Sequence, residues 1–279
     1  MVRFVAPVGA HISAAGGLSR ALARIEVVGA EAAQVFVANP RAWAPRPVSA
    51  EDDAIFRDSC AVPVYVHAPY LINFGSPSPE TLARSCEALE FSLRRAADIG
   101  AVGVVVHAGS AVSGHRREDA LRQTRDSVLR ALDSLPSSPA LLIEPTAGGG
   151  GALASDATST VEYLAQFDGD ERIGLCLDTC HMHAAGHDLA TVVGFTSALS
   201  AFGKAGRVGL VHVNDSRDPA GSKRDRHEAI GRGSIGAEAF AALFRSPATR
   251  RVPLIVETAD VDHAADIATL KQLRADARL

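Results

Sequence analysis

The sequence contains no apolar run of membrane-spanning length. Its opening residues, MVRFVAPVGAHIS, lack the basic, apolar and cleavage-site succession of a secretory signal and read directly as a strand. Only four cysteines are present (Cys60, Cys86, Cys176 and Cys180). They form no secreted framework, so they are expected to be reduced thiols of a cytoplasmic protein. There is no Gly/Ser linker and no compositional break, which leaves residues 1–279 as one expected domain. A basic excess is also missing: the net charge is −4. On its face that argues against a nucleic-acid binder, whose phosphate contacts usually leave a basic footprint. Carboxylates that serve as metal ligands can mislead such a sum, because bound divalent ions invert the local field.

What is present is a sizeable apolar fraction, 47%, and an unbroken alternation of strand-like and helix-like segments. Strand-like runs fall at Phe4–Gly9, Ala33–Ala38, Val62–Val66, Val102–Val106, Ala140–Ile143, Ile173–Leu177, Val208–Val213 and Val252–Val256. The clearest helix is Pro79–Ile99, with Ser78 placed to cap it, Pro79 at its first position and Gly100 past its end. Others are expected over Arg117–Leu135, stopping before Pro136, and over His263–Ala275. Eight strands separated by helices is the count of a (β/α)8 barrel. The hydrophobic pattern alone also admits a doubly wound open sheet.

The placement of chemistry favours the barrel. Six successive strands finish on His67, His107, Glu144, Asp178, His212 and Glu257, separated by 40, 37, 34, 34 and 45 residues. Each step is about one βα unit, and a closed parallel barrel points all such ends to one face. In the sixth strand Cys176 shares a face with Asp178, while Leu175 and Leu177 point outward to covering helices. A lone histidine or carboxylate at a strand end is ordinarily a satisfied hydrogen-bonding group. Six in order at barrel spacing are not explained that way.

Three more candidates lie beyond the strand ends: His181 in DTCH, and Asp225 and His227 in DRH. Nine His and carboxylate groups with no evident cysteine suit zinc or manganese in a hydrolytic site rather than a closed structural zinc. Two ions sharing a bridging carboxylate can lower the pKa of a water and stabilise both the attacking and leaving oxygens of a phosphodiester. Three divalent ions would outweigh the four carboxylates among the nine, making the barrel mouth positive.

With these residues in place the sequence resembles the endonuclease IV family, the family-2 apurinic/apyrimidinic endonucleases. The resemblance spans essentially the whole chain. It rests on GAHISAAGGL (9–18), NPRAW (39–43), HAPYLINFGSP (67–77), HAGS (107–110), IEPTAG (143–148), LDTCHMHAAG (177–186), HVNDSRDPAGSKRDRHEAIGRGSIG (212–236) and PLIVET (253–258). It implies a zinc-dependent (β/α)8-barrel enzyme of base excision repair. Such an enzyme hydrolyses the phosphodiester 5′ to an abasic site and leaves a 3′-hydroxyl and a 5′-deoxyribose phosphate. By motif, His67, His107 and Glu144 would hold a first zinc. Glu144, as the catalytic bridging ligand, would join it to a second, completed by Asp178, His212 and Glu257. His181, Asp225 and His227 would hold the third. The resemblance further implies a hydroxide shared by the first two ions as nucleophile, manganese admissible at one position, no organic cofactor, no membrane partner, and a monomer acting on double-stranded DNA.

Arg41, with Tyr70 and Leu71, matches the family's DNA-reading loops. An abasic nucleotide has no base to unpair, so extruding it is cheap and apolar or aromatic wedges can fill the gap. Trp43 reads more simply as a packed loop anchor. Lys223, Arg224, Arg226 and Arg232 are candidate phosphate contacts. The chain departs from the family pattern at Pro69, Ala108, Pro145, Met182 and His183 without losing a ligand. Pro69 and Pro145 are expected to stiffen loops beside ligands. His183 and His187 are expected at the surface or behind the ligands. His11 and His115 fall near the mouth without an assigned role, and His263 is expected to be structural. The alternative is a sugar isomerase or epimerase on the same barrel, using Glu144, Asp178, His212 and Glu257 for one ion. It leaves the other five ligand candidates without a purpose.

Overall fold

A computed structural model of the chain describes residues 5–44, 47–112, 114–135 and 139–277. Its centre is a closed barrel of eight parallel strands. In chain order these are β1 (Val8–His11), β2 (Ala33–Val35), β3 (Val64–His67), β4 (Gly103–His107), β5 (Ala140–Glu144), β6 (Ile173–Asp178), β7 (Val208–His212) and β10 (Leu254–Val256). Each pairs with its sequence neighbour, and β1 closes on β10 through Val8↔Leu254, Gly9↔Ile255 and Ala10↔Val256. Between β7 and β10 the chain adds a two-residue antiparallel ribbon, β8 (Asp215–Ser216) with β9 (His227–Glu228).

Helices surround the barrel. They are α1 (Leu18–Val27), α2 (Ala50–Ser59), α3 (Pro79–Asp98), α4 (Arg117–Ser134), α5 (Ala157–Ala165), α6 (Thr179–Ala185), α7 (Val192–Ala205), α8 (Ala241–Arg245) and α9 (His263–Asp276). Among the described residues none is long and apolar enough to cross a membrane. The best sequence-level helix is found as expected. Ser78 Oγ accepts from Thr81 N–H at 3.3 Å, Pro79 occupies the first turn, and Gly100 follows with a φ of 70°.

Several strands start later than the hydrophobic runs. Pro7, Pro63 and Pro253 immediately precede β1, β3 and β10. Proline carries no N–H, so the two-sided ladder begins one residue on. The proline carbonyls still accept, from Leu254, Ala33 and Val211 respectively. Phe4, the expected start of the first strand, lies outside the described residues, as does Pro136. The first strand also continues past Gly9 to His11. A Cβ at Gly9 would stand 1.6 Å from the Ala32 carbonyl oxygen, so only glycine lets β1 approach β2 here.

Side-chain alternation sorts the strands into two faces. Outward residues such as Val8, Val64, Val104, Leu141, Leu175 and Leu254 join the main core beneath the helices. Inward residues fill the barrel: Ala32, Tyr65, Val105, Leu142, Cys176, Leu210 and Ile255 form their own buried cluster. Cys176 therefore faces inward and Leu175 and Leu177 outward, as the sequence suggests.

Candidate metal centre

The functional layer follows from that alternation. Two residues beyond each member of the barrel-filling cluster comes the next inward side chain. These are Gln34, His67, His107, Glu144, Asp178, His212 and Glu257, and Gly9 of β1 is likewise followed by His11. Register places His11 beside Gln34, His107 beside Glu144 and Asp178 beside His212. All eight strands thus deliver a polar residue to one end of the barrel. The six sequence candidates are among them. His11 and Gln34 were missed as members, although the same step of two from Gly9 and Ala32 leads to them.

Glu144 lies at the middle and is 1% exposed. Its Oε2 is 3.2 Å from His67 Nε2 and 3.5 Å from His107 Nε2. Its Oε1 is 3.2 Å from His212 Nδ1 and 3.2 Å from His181 Nδ1. The two oxygens therefore serve two different sets of imidazoles. Glu257 Oε2 also approaches His212 Nδ1, at 3.2 Å.

Asp178 has two roles. Its Oδ1 accepts from His181 N–H at 2.8 Å and so caps α6, which sets His181 on the first turn facing the barrel. Its Oδ2 accepts from Asn214 Nδ2 at 2.8 Å and lies 3.6 Å from His227 Nε2 and 3.9 Å from His212 Nδ1. Asp178 therefore stands between the His212 group and the His181–His227 group. Asp225 meets both of the latter histidines, with Oδ2 3.2 Å from His181 Nε2 and Oδ1 3.0 Å from His227 Nε2.

The loop carrying Asp225 and His227 is built locally. Lys223 takes a left-handed φ of 57° and donates its backbone N–H to Ala184 O, and Gly221 N–H bonds His183 O. The loop thus docks on the last carbonyls of α6. The buried Asp215 carboxylate gathers the glycine segment that follows. It accepts backbone N–H from Gly231, Gly233, Ile235 and Gly236, at 2.9, 3.1, 2.9 and 3.2 Å, and from Ser216 at 2.8 Å.

Do these residues fit cations? His227 Nε2 is buried with no hydrogen-bond partner among the described residues, despite the nearby Asp225 oxygen. A nitrogen lone pair held beside a carboxylate without a bond is the arrangement that a shared ion satisfies. Donor atoms of His67, His107 and Glu144, and those of Asp178, His181 and His227, lie within 4.8 Å of one another. The charge balance agrees. On the protein's own charges, burial pushes the Asp178 carboxyl up and the His107 imidazole down to about 4. Burial pulls His227 down too, but Asp225 and Asp178 outweigh it and lift the group to about 9. His227 then reaches its ligand form, the neutral imidazole, only where a cation replaces the proton. Cys176 and Cys180 also come near ligand atoms. On the protein's own charges, burial pushes both thiols up to about 12.

The remaining candidates fall around the mouth. Tyr70 is 43% exposed, and its ring stacks on His107 at 5.5 Å and meets His67 and Phe36 edge-on at 5.3 Å each. Leu71 beside it is half-buried. Tyr70 N–H bonds Pro40 O at 3.0 Å, which ties this loop to the NPRAW loop with the exposed Arg41. Trp43 packs partly buried against the core, as expected of an anchor. Arg226 is committed to a two-bond pair with Asp218, and Arg232 pairs with Asp262 at 3.2 Å. Among the described residues Lys223 and Arg41 make no ion pair. Arg224 is exposed and loosely paired to Asp218 at 3.7 Å. His183 is buried, with Nε2 3.2 Å from Ser234 Oγ, and His187 packs on Phe202. His115 bonds Gly75 O and His263 bonds Thr258 O, so both are structural. Pro145 contributes its carbonyl, which accepts from His181 Nδ1 at 3.0 Å.

The family described as Xylose isomerase-like TIM barrel matches residues 22–277. A probable endonuclease 4 of Streptomyces coelicolor is 50% identical, over 96% of this chain and 95% of the relative. One from Streptomyces avermitilis is 49% identical, over 96% and 90%. The crystal structure of endonuclease IV from Thermus thermophilus superposes with a TM-score of 0.84 at 33% identity, covering 97% of this chain and all of that one.

Proposed function

This chain belongs to the endonuclease IV family, and from that premise we propose that it hydrolyses the phosphodiester 5′ to an abasic site in double-stranded DNA, using three zinc ions. The observation that carries the proposal is the divided Glu144 carboxylate, with one oxygen toward His67 and His107 and the other toward His212 and His181. A carboxylate so placed is suited to bridge two ions. His67, His107 and Glu144 would hold the first, and Glu144, Asp178, His212 and Glu257 the second. His181, Asp225 and His227 would hold the third. The position of Asp178 between two groups makes it the hinge of the arrangement.

Divalent ions held there supply Lewis acidity, which activates water and stabilises the attacking and leaving oxygens of an in-line displacement. In the reaction a water oxygen bonds to phosphorus and the P–O3′ bond breaks. The O3′ leaves as a hydroxyl, and the phosphate remains on the abasic sugar. The chain's own residues hold the geometry. Backbone carbonyls of Ala68 and Pro145 accept from Nδ1 of His67 and His181, which leaves the Nε2 lone pair of each to hold an ion. Tyr70 is stacked on His107 yet half exposed, which supports a role in which it would lie against the nucleotide and exclude water. Arg41, Leu71 and Lys223, with Arg226 and Arg232 if their carboxylate partners yield, would contact the duplex. Three divalent ions against four ligand carboxylates would leave the mouth positive and offset the acidic net charge of −4.

The test is incision of a duplex carrying one tetrahydrofuran abasic analogue, with and without a chelator. Chelator-sensitive cutting on the 5′ side is expected. An intact duplex under zinc-replete conditions would sink the proposal.

A further inference from the structure

Gln34 and His11 are the two members of the inward ring that the ligand groups leave out. Gln34 is fully buried and touches three partners from its place on β2. Its Oε1 is 2.9 Å from His212 Nε2. Its Nε2 is 2.8 Å from Glu257 Oε1 and 2.9 Å from His11 Nδ1. The amide cannot be turned over without loss. Glu257, ionised, only accepts, so the amide nitrogen must face it. The amide oxygen then faces His212, and an oxygen there requires that His212 Nε2 carry the hydrogen. His11 Nδ1, accepting from the second amide hydrogen, fixes the amide from the other side.

The consequence falls on His212. With its hydrogen on Nε2, the free lone pair is on Nδ1, the atom 3.2 Å from both Glu144 Oε1 and Glu257 Oε2. This reverses His67 and His181, which turn Nε2 toward the site. Their locks are backbone carbonyls, Ala68 O at 2.6 Å and Pro145 O at 3.0 Å. Those carbonyls belong to the main chain and survive any substitution. The lock on His212 is a side chain from a strand on the far side of β1 and β10, and a single substitution removes it. The same amide holds Oε1 of Glu257, while Asn214 Oδ1 accepts from Glu257 N–H at 2.9 Å.

We propose that Gln34 is the positioning residue of the His212–Glu257 pair: its amide places the hydrogen on His212 Nε2, turns Nδ1 toward Glu144, and keeps Glu257 Oε2 on that same side. Gln34 touches no reacting atom. It acts by choosing which His212 nitrogen can bind an ion, so its loss weakens the second ion and leaves the duplex-contacting loops untouched. This rests on the metal-centre reading given above.

The test compares wild type with Gln34→Met, which keeps the bulk and loses the amide, and Gln34→Glu, which keeps an oxygen toward His212. Histidine 15N spectra of the zinc-loaded protein should show His212 as the Nε2–H tautomer in wild type and Gln34→Glu, and a changed or mixed tautomer in Gln34→Met. Zinc titration against a competing chelator should show one ion bound about 10–100-fold more weakly in Gln34→Met, as is usual for a lost partner behind a ligand. For the tetrahydrofuran duplex, kcat should fall and KM stay level. A wild-type His212 with its hydrogen on Nδ1 would overturn the proposal. So would a Gln34→Met protein that keeps the wild-type tautomer and zinc affinity. Failure of the nuclease reading would show differently: wild type would leave the duplex intact, while the tautomer of His212 would still report on Gln34.

Discussion

Asp225 Oδ2 lies 3.2 Å from His181 Nε2, joining the loop after β8 to the first turn of α6. His227, two residues on, reaches the other Asp225 oxygen at 3.0 Å. Asp225 is half exposed and packs little, so its removal should spare the fold. Asp225→Ala is expected to lose one zinc of three and to lower kcat by about 100-fold or more, a rise of roughly 2.7 kcal/mol in the barrier. Elemental analysis of the purified variant checks this. Three ions retained would show that Asp225 is not a ligand.

Asp215 makes no ligand contact, but its carboxylate accepts the five backbone N–H groups described above. Removing a buried acceptor strands those donors at about 1–3 kcal/mol each where water cannot reach. Asp215→Ala is expected to cost about 3 kcal/mol in urea unfolding, and Asp215→Asn less. An Ala variant as stable as wild type would mean that the glycine segment holds its shape unaided.

Tyr70→Ala with Leu71→Ala should weaken binding to the abasic duplex by about tenfold or more, the scale of one lost stacking contact. Zinc content should not change, because the ring lies against His107 without bonding it. Fluorescence anisotropy and elemental analysis together read the two effects. Loss of zinc with unchanged affinity would reverse the assignment.

Glu31 ties the last helix to the start of the barrel, accepting from Arg274 at 2.6 and 3.0 Å and from Val8 N–H at 3.1 Å. Burial pushes its carboxyl up, but Arg274 and the Val8 N–H bring it to about 2 from the usual 4.5. A depressed pKa means stability that is fully present above about pH 4.5 and lost as pH falls toward 2. The melting temperature of Glu31→Gln should therefore lie below wild type at about pH 7, and the gap should close across that window. A gap that does not change with pH would remove the charge from the explanation.

The barrel and six of its eight ligand-layer positions are legible in the sequence because strand ends recur at βα spacing, and because His and carboxylate at those ends are uncommon. His11 and Gln34 escape because neither stands at the end of its hydrophobic run: β2 stops at Val35, short of the run to Ala38, so Gln34 falls inside that run. The first hydrophobic run ends at Gly9, where a small residue is demanded by the Ala32 carbonyl rather than by a turn. Gln34 carries no charge, so nothing in its residue type marks it. Only three of the helices can be delimited from sequence. α6 is hidden because its seven residues directly follow a strand and its cap, Asp178, also reads as the end of β6. The Asp218–Arg226 and Asp262–Arg232 pairs cannot be read either, since each joins residues whose proximity depends on loop geometry. That is why basic residues which look free in the sequence are partly neutralised in the fold.

Zinc titration into chelator-stripped protein, with incision of the tetrahydrofuran duplex followed at each step, counts the ions that cutting requires. Glu144→Gln serves as the control and should stay inactive at every step. Cutting 5′ to the analogue should rise until about three equivalents are bound and then level. A plateau at one equivalent, or full incision by Glu144→Gln, would contradict the three-zinc proposal.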